Sequence, residues 1–154
     1  MKFAQEKLAD VWDDFHRLAS LHWKETELYR HEQVMAPDKD SYIHYNNIGF
    51  HILYTARDDN DFMCGYCGMY VRNSMHTQKP VASEDTFYLM PEYRRGRNAM
   101  RFYQFVENDL FKNKNVTEIT QTTKHAAKNA ARLLDFLGYE NIGYVFAKQC
   151  KENM

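Results

Sequence analysis

Residues 87–103 constrain the possible folds of this chain more than any other stretch. Phe87-Tyr88-Leu89-Met90 is a β-rich run that stops at Pro91, the chain turns through Gly96, and a helix opens near Asn98. The first turn of such a helix carries backbone N–H groups with no partner inside the helix, and its dipole favours negative charge. Gly96 and Ala99 keep the approach uncrowded, and Arg94, Arg95 and Arg97 add cationic donors. Two readings follow: a cradle for a small anion such as a pyrophosphate, or a strand–loop–helix with a solvated basic turn.

Charge and composition narrow the partners. The chain has 154 residues, enough for one domain with its own core, and its net charge is −1. A general nucleic-acid binder would carry a broad basic face; here basic charge is local, with Arg94, Arg95, Arg97 and Arg101 close together. With 11 Tyr and 10 Phe there is ample apolar area to bury. The first residues lack the apolar core of a signal peptide, and no apolar run is long enough to span a membrane. Three Cys fit a reducing cytoplasm. Cys64 and Cys67 lie in an expected strand, where positions three apart point to opposite faces, and no second pair follows, so core packing rather than metal is expected.

The rest of the chain alternates helix and strand signals. Leu8, Val11, Trp12, Phe15, Leu18, Ala19 and His22 recur at helical spacing, and residues 23–35 continue as a second helical stretch before Pro37. The span 36–47 is polar and turn-rich. Residues 50–72 form a hairpin about Asp58-Asp59-Asn60-Asp61, and 73–81 a loop with His76. A strand at 82–90, a helix at 98–111, a strand at 116–122, a helix at 126–137 ended by Gly138, and a last strand at 142–147 complete the order. That order is a mixed α/β sheet in a single domain, 1–154.

The stretch Pro91-Glu92-Tyr93-Arg94-Arg95-Gly96-Arg97-Asn98-Ala99 resembles the coenzyme-A signature of the GNAT superfamily of N-acetyltransferases, [QR]-x-x-G-x-[GA]. Arg94 takes the first position and Ala99 the last, while Arg97 stands where the middle glycine is usual, with Gly96 one place earlier. Its wording also resembles a bacteriophage GNAT subgroup. The end of the last helix, at Leu133, Leu134, Gly138 and Tyr139, is similar to the family's L-Y-x-x-x-G-[FY]. The resemblance implies a mostly antiparallel sheet flanked by helices, with splayed central strands, and acetyl transfer from acetyl-coenzyme A to an amine without a metal. The alternative is an inert coenzyme-A- or protein-binding module. Charge, hydropathy and cysteine count point to the cytoplasm (the host's, if phage-encoded) and to no nucleic-acid or membrane partner; dimers are frequent in the superfamily the chain resembles, and the sequence leaves a homodimer or another assembly open.

The resemblance assigns roles by position. The donor would lie along Leu89, Met90, Arg94, Arg95, Gly96, Arg97, Asn98 and Ala99, with the main chain of Leu89 and Met90 bonding the pantetheine arm in the splay. Family members often carry a tyrosine acid where this chain has Leu134 and an asparagine at Ala127; Asn129 is the nearby substitute for the latter, and Tyr103 or Tyr139 for the former. An amine must lose a proton as it attacks a thioester, so a carboxylate near the strand end is expected. Asp85 is preferred and Glu84 is the alternative, the two lying on opposite faces of one strand. His22, Trp23 and Glu25 on the first helices, and His76 before the key strand, would contact the acceptor, although His22 also suits a satisfied core-edge ring.

Overall fold

The computed structural model describes residues 1–27, 30, 33–125 and 127–150. Five strands lie in chain order in one sheet, β1 (Lys2–Glu6), β2 (His51–Arg57), β3 (Met63–Asn73), β4 (Pro80–Leu89) and β5 (Glu118–Thr120). The first four are antiparallel neighbours, and β5 runs parallel to β4. Among the described residues four α-helices accompany them: α1 (Trp12–Thr26), α2 (Lys39–Asn47), α3 (Asn98–Asn108) and α4 (Lys128–Phe136).

The sheet is buried on both faces, which is why β2 is a near-continuous apolar run rather than an alternating one. On one side Phe102, Val106 and Leu110 of α3 and the turn after it pack on Ile52, Tyr54, Ala56, Cys67 and Met69. On the other, Phe15 and Leu18 of α1 pack on Leu53, Met63, Tyr66 and Tyr88. α1 and α3 thus sit on opposite faces, and β4 runs between them.

Several expectations are corrected here. Residues 2–6 form β1, a strand the polar sequence did not signal; it is held by its ladder to β2 and by Phe3 stacking on Phe102 with centroids 5.1 Å apart. The turn-like span 36–47 contains α2, because Asp38 accepts the backbone N–H of Ser41 at 3.3 Å and so caps a helix; Asp and Ser favour turns and N-caps for the same reason. α1 runs on to Thr26, and residues 28, 29, 31 and 32 of the expected second helix lie outside the described residues. The expected strand at 142–147 is not formed: Ile142, Tyr144, Val145 and Phe146 are 78–91% exposed, and among the described residues no strand pairs with them. Strand propensity reflects the fit to a pleated, half-buried surface, and no such surface covers this segment. Among the described residues no helix is long and apolar enough to cross a membrane.

Two bulges shape the sheet. Ala56 pairs with Gly65 and Arg57 with Met63, so Cys64 is an extra residue in β3. The bulge puts Cys64 on the same face as Cys67, contrary to simple alternation, and both lie in the α3-side core. Burial pushes both thiols up, Cys64 to about 11, so neither is a ready thiolate. In β4, Gly68 pairs with Thr86 but Met69 with Glu84, which makes Asp85 the second extra residue.

Candidate functional site

β4 and β5 pair only at Val81–Glu118, Ala82–Ile119 and Ser83–Thr120. β4 then continues to Leu89 while β5 ends, so the two strands open a fork on the edge of β4. Met90 donates its N–H to the Cys64 carbonyl at 2.9 Å, which makes Leu89–Gly65 a non-hydrogen-bonded pair. The N–H and C=O of Leu89 therefore point away from β3, into the opening. Of the two main-chain positions expected there, Leu89 faces the fork and Met90 does not.

At the mouth of the fork the chain turns into α3. Gly96 has φ +64°, a left-handed conformation that costs other residues about 1–2 kcal/mol. Arg97 is the N-cap and its side chain makes no capping bond, so the first N–H groups of α3 have no partner within the helix. Arg95, Gly96 and Arg97 are exposed around them, and Asn98 donates from Nδ2 to the Tyr93 carbonyl at 3.0 Å.

Arg94 is oriented differently from its neighbours. It grips Glu25 of α1 with two hydrogen bonds of 2.6 and 2.8 Å, and its Nε donates to the Leu89 carbonyl at 2.6 Å. It also lies over the Tyr88 ring. Arg94 and Glu25, expected on donor and acceptor respectively, instead meet each other, and the Glu25 carboxyl is lowered chiefly by this hydrogen bond. The pair ties the end of α1 to the loop before α3.

Glu84 and Asp85 face opposite sides. The Glu84 carboxylate reaches into the fork, where it accepts the Thr122 N–H at 3.0 Å. Desolvation raises it to about 7, with Asp85 adding to the rise and Lys124 opposing it. Since the folded carboxyl is raised above its ordinary 4.5, its contribution to stability is complete below about pH 4.5 and is lost as pH climbs through 7. Thermal melts should therefore show wild-type protein losing stability between pH 4.5 and 7 relative to Glu84→Gln; parallel curves would refute a half-buried, reluctant carboxylate.

Behind the fork, the hydroxyl of Tyr139 lies against Glu107 and Gln121 without meeting hydrogen-bond geometry, and the polar atoms of Gln121 are also buried and unmatched. Burial pushes the Tyr139 phenol up, and it does the same for Tyr103, which stacks on Phe87 at 3.8 Å. Leu134 is buried, and Asn129 is exposed in the first turn of α4.

Asp85 opens on the other side, into a cleft of about 400 Å³ between α1, α2 and β4. As the bulged residue it is aimed out of the ladder, 17% exposed, with the Tyr42 hydroxyl donating to it at 3.4 Å. His51 Nε2 is 3.7 Å away, and His51 is only 1% exposed with neither ring nitrogen hydrogen-bonded. Gly68 makes room for this convergence: a Cβ there would stand 2.7 Å from His51 Nε2 and 2.9 Å from the Thr86 hydroxyl. Tyr42 is pushed up to about 12 by burial and by Asp85, so it stays a hydrogen-bond donor. Tyr42, His51 and Gly68 escape the sequence reading. The one available signal was a histidine inside the apolar run Phe50–Ala56.

His22 and Trp23 line the same cleft. His22 Nδ1 is 2.9 Å from the Tyr66 hydroxyl and its ring stacks on Tyr88; burial lowers its pKa, which keeps it neutral. The Trp23 ring carries the Arg30 guanidinium 5.3 Å above it. His76 is not brought in. It sits exposed in the β3–β4 turn, beyond Pro80 and so at the opposite end of β4 from Leu89. Among the described residues no group of three metal-binding side chains occurs.

The profile of the acetyltransferase (GNAT) family matches residues 12–139. No curated protein sequence matches the chain. Among solved structures, a ribosomal-protein-alanine N-acetyltransferase from Brucella melitensis biovar Abortus 2308 superposes with TM-score 0.70 at 14% identity, over 97% of this chain and 100% of that one. An aminoglycoside acetyltransferase from an uncultured soil metagenomic sample, in complex with sisomicin, gives 0.73 at 14% over 97% and 96%. AAC(6')-Iy in complex with the bisubstrate analog CoA-S-monomethyl-acetylneamine gives 0.70 at 16% over 97% and 98%. At these identities the likeness is one of fold.

Proposed function

Because this chain belongs to the acetyltransferase (GNAT) family, we propose that it is an N-acetyltransferase that moves an acetyl group from acetyl-coenzyme A to an amine by direct attack. The observation that carries this reading is the fork between β4 and β5 with the unpartnered first turn of α3 at its mouth. The diphosphate would rest on that turn, with Arg95 and Arg97 supplying charge and Gly96 leaving the approach open. The pantetheine arm would follow the outer edge of β4, where the Leu89 N–H is directed.

On the opposite side of β4 the acceptor amine would enter the α1–α2 cleft and meet Asp85. Its nitrogen forms the new C–N bond at the thioester carbonyl, the C–S bond breaks, and the ammonium proton passes to Asp85. Tyr42 donates to that carboxylate, and His51 stands behind it. A thiolate is a good leaving group, with a thiol pKa near 8–9, so departure does not demand a tyrosine at the position of Leu134. Glu84, bound to the Thr122 N–H inside the fork, serves better as a clamp on β4 and the residues after β5 than as the base.

Isothermal titration should give saturable binding of acetyl-coenzyme A by the wild-type protein. A folded sample that shows no heat at high micromolar ligand would refute the donor site. The buried Leu134 favours a second reading, a module that holds coenzyme A without turnover. Thiol release across a panel of amines separates the two. The narrower likeness to a bacteriophage subgroup rests on the wording of residues 91–97 alone.

A further inference from the structure

We propose that the cleft between α1 and α2 is built for the ammonium end of an unbranched alkyl amine, as carried by a polyamine or a lysine side chain. The inference rests on the reading of this cleft as the acceptor site and names its substrate class.

The walls are aromatic. Phe15 meets Tyr42 with centroids 5.5 Å apart and Tyr66 at 5.3 Å, the latter edge to face, and His22 continues the same surface, while Arg30 lies over the Trp23 ring. Rings around a cavity attract a cation through their negative faces. Farther out, Val34, Met35, Ala36 and Pro37 give the cleft an aliphatic lining suited to a methylene chain. Between these apolar surfaces the lining carries a few polar groups, among them Thr26, Tyr42 and Thr86.

The charge in the cleft is placed for one ammonium. Asp85 has no lysine or arginine within ion-pair distance among the described residues; its neighbours are the Tyr42 and Tyr70 phenols and His51. Glu27, the other carboxylate of the lining, is bridged by Arg30 at 2.9 Å and Lys124 at 3.6 Å. His22, held against Tyr66 and kept neutral by burial, adds no repelling charge. A slender chain therefore finds apolar contact along its length and the Asp85 carboxylate at its end.

The test compares 1,5-diaminopentane with 1,5-pentanediol, equal in length and differing in charge, by calorimetry at physiological salt without any acetyl donor. The diamine should bind at least about tenfold more tightly. Asp85→Asn should remove that preference. Tyr42→Leu should weaken the diamine about fivefold, whereas Tyr42→Phe, which keeps the ring, should not. Equal binding of diamine and diol would overturn the proposal. Nα-acetyl-lysine methylamide in the same titration distinguishes the sources: if it outbinds the diamine the acceptor is a protein side chain, and if not, a free polyamine. Because the donor is absent, failure here leaves acetyl-coenzyme A binding to be judged separately.

Discussion

Asp85→Asn should lower kcat for amine acetylation by about 10²- to 10⁴-fold, the contribution of a positioned general base, with little change in melting temperature. Glu84→Gln should alter kcat by less than about fivefold, because its carboxylate lies across the sheet in the fork rather than in the cleft. The asymmetry follows from the bulge in β4. It takes Asp85 out of the ladder and aims it at the cleft, beside Tyr42 and His51, while Glu84 stays paired opposite Met69. Thiol-release kinetics on both variants decide the matter: a larger loss in Glu84→Gln would reverse the assignment of the base.

The second large effect concerns the donor. Arg95→Glu combined with Arg97→Glu should weaken acetyl-coenzyme A by about 10²- to 10⁴-fold in Kd, since two hydrogen bonds to a charged group at roughly 1.5–3 kcal/mol each are lost. Both side chains are exposed at the N-terminus of α3, and among the described residues neither takes part in an ion pair. Arg94→Glu acts by another route. It sets two carboxylates against each other at Glu25 and removes the bond to the Leu89 carbonyl, so its effect is on the geometry of the fork. The charge swap Arg94→Glu with Glu25→Arg should then recover part of the affinity lost in Arg94→Glu. No recovery, together with a loss as large as that of the double reversal, would mean that Arg94 holds phosphate directly.

Local patterning made much of the fold legible. β2, β3, β4, α3 and α4 were each marked by apolar periodicity and bounded by turn or breaker residues such as Asp58, Pro91 and Gly138. β1 was not, because five residues with one large apolar side chain become a strand only when β2 offers a ladder. α2 was hidden because Pro37-Asp38 serves a turn or a helix start equally well until the Ser41 N–H is placed. The segment 142–147 had the composition of a strand and lacks the neighbour that would make it one.

What the sequence determined by itself is the succession strand, proline, glycine bend and helix at residues 87–103, since hydrophobic period, the fixed φ of proline and the freedom of glycine all act over a few residues. Which side chains meet was decided only by the tertiary structure. Two extra residues, Cys64 and Asp85, reset which face each side chain takes. The fork, the Arg94–Glu25 tie and the approach of Tyr42 and His51 to Asp85 join positions 34 to 69 residues apart. Bulges and packing set such contacts, and neither is written in the spacing of neighbouring residues.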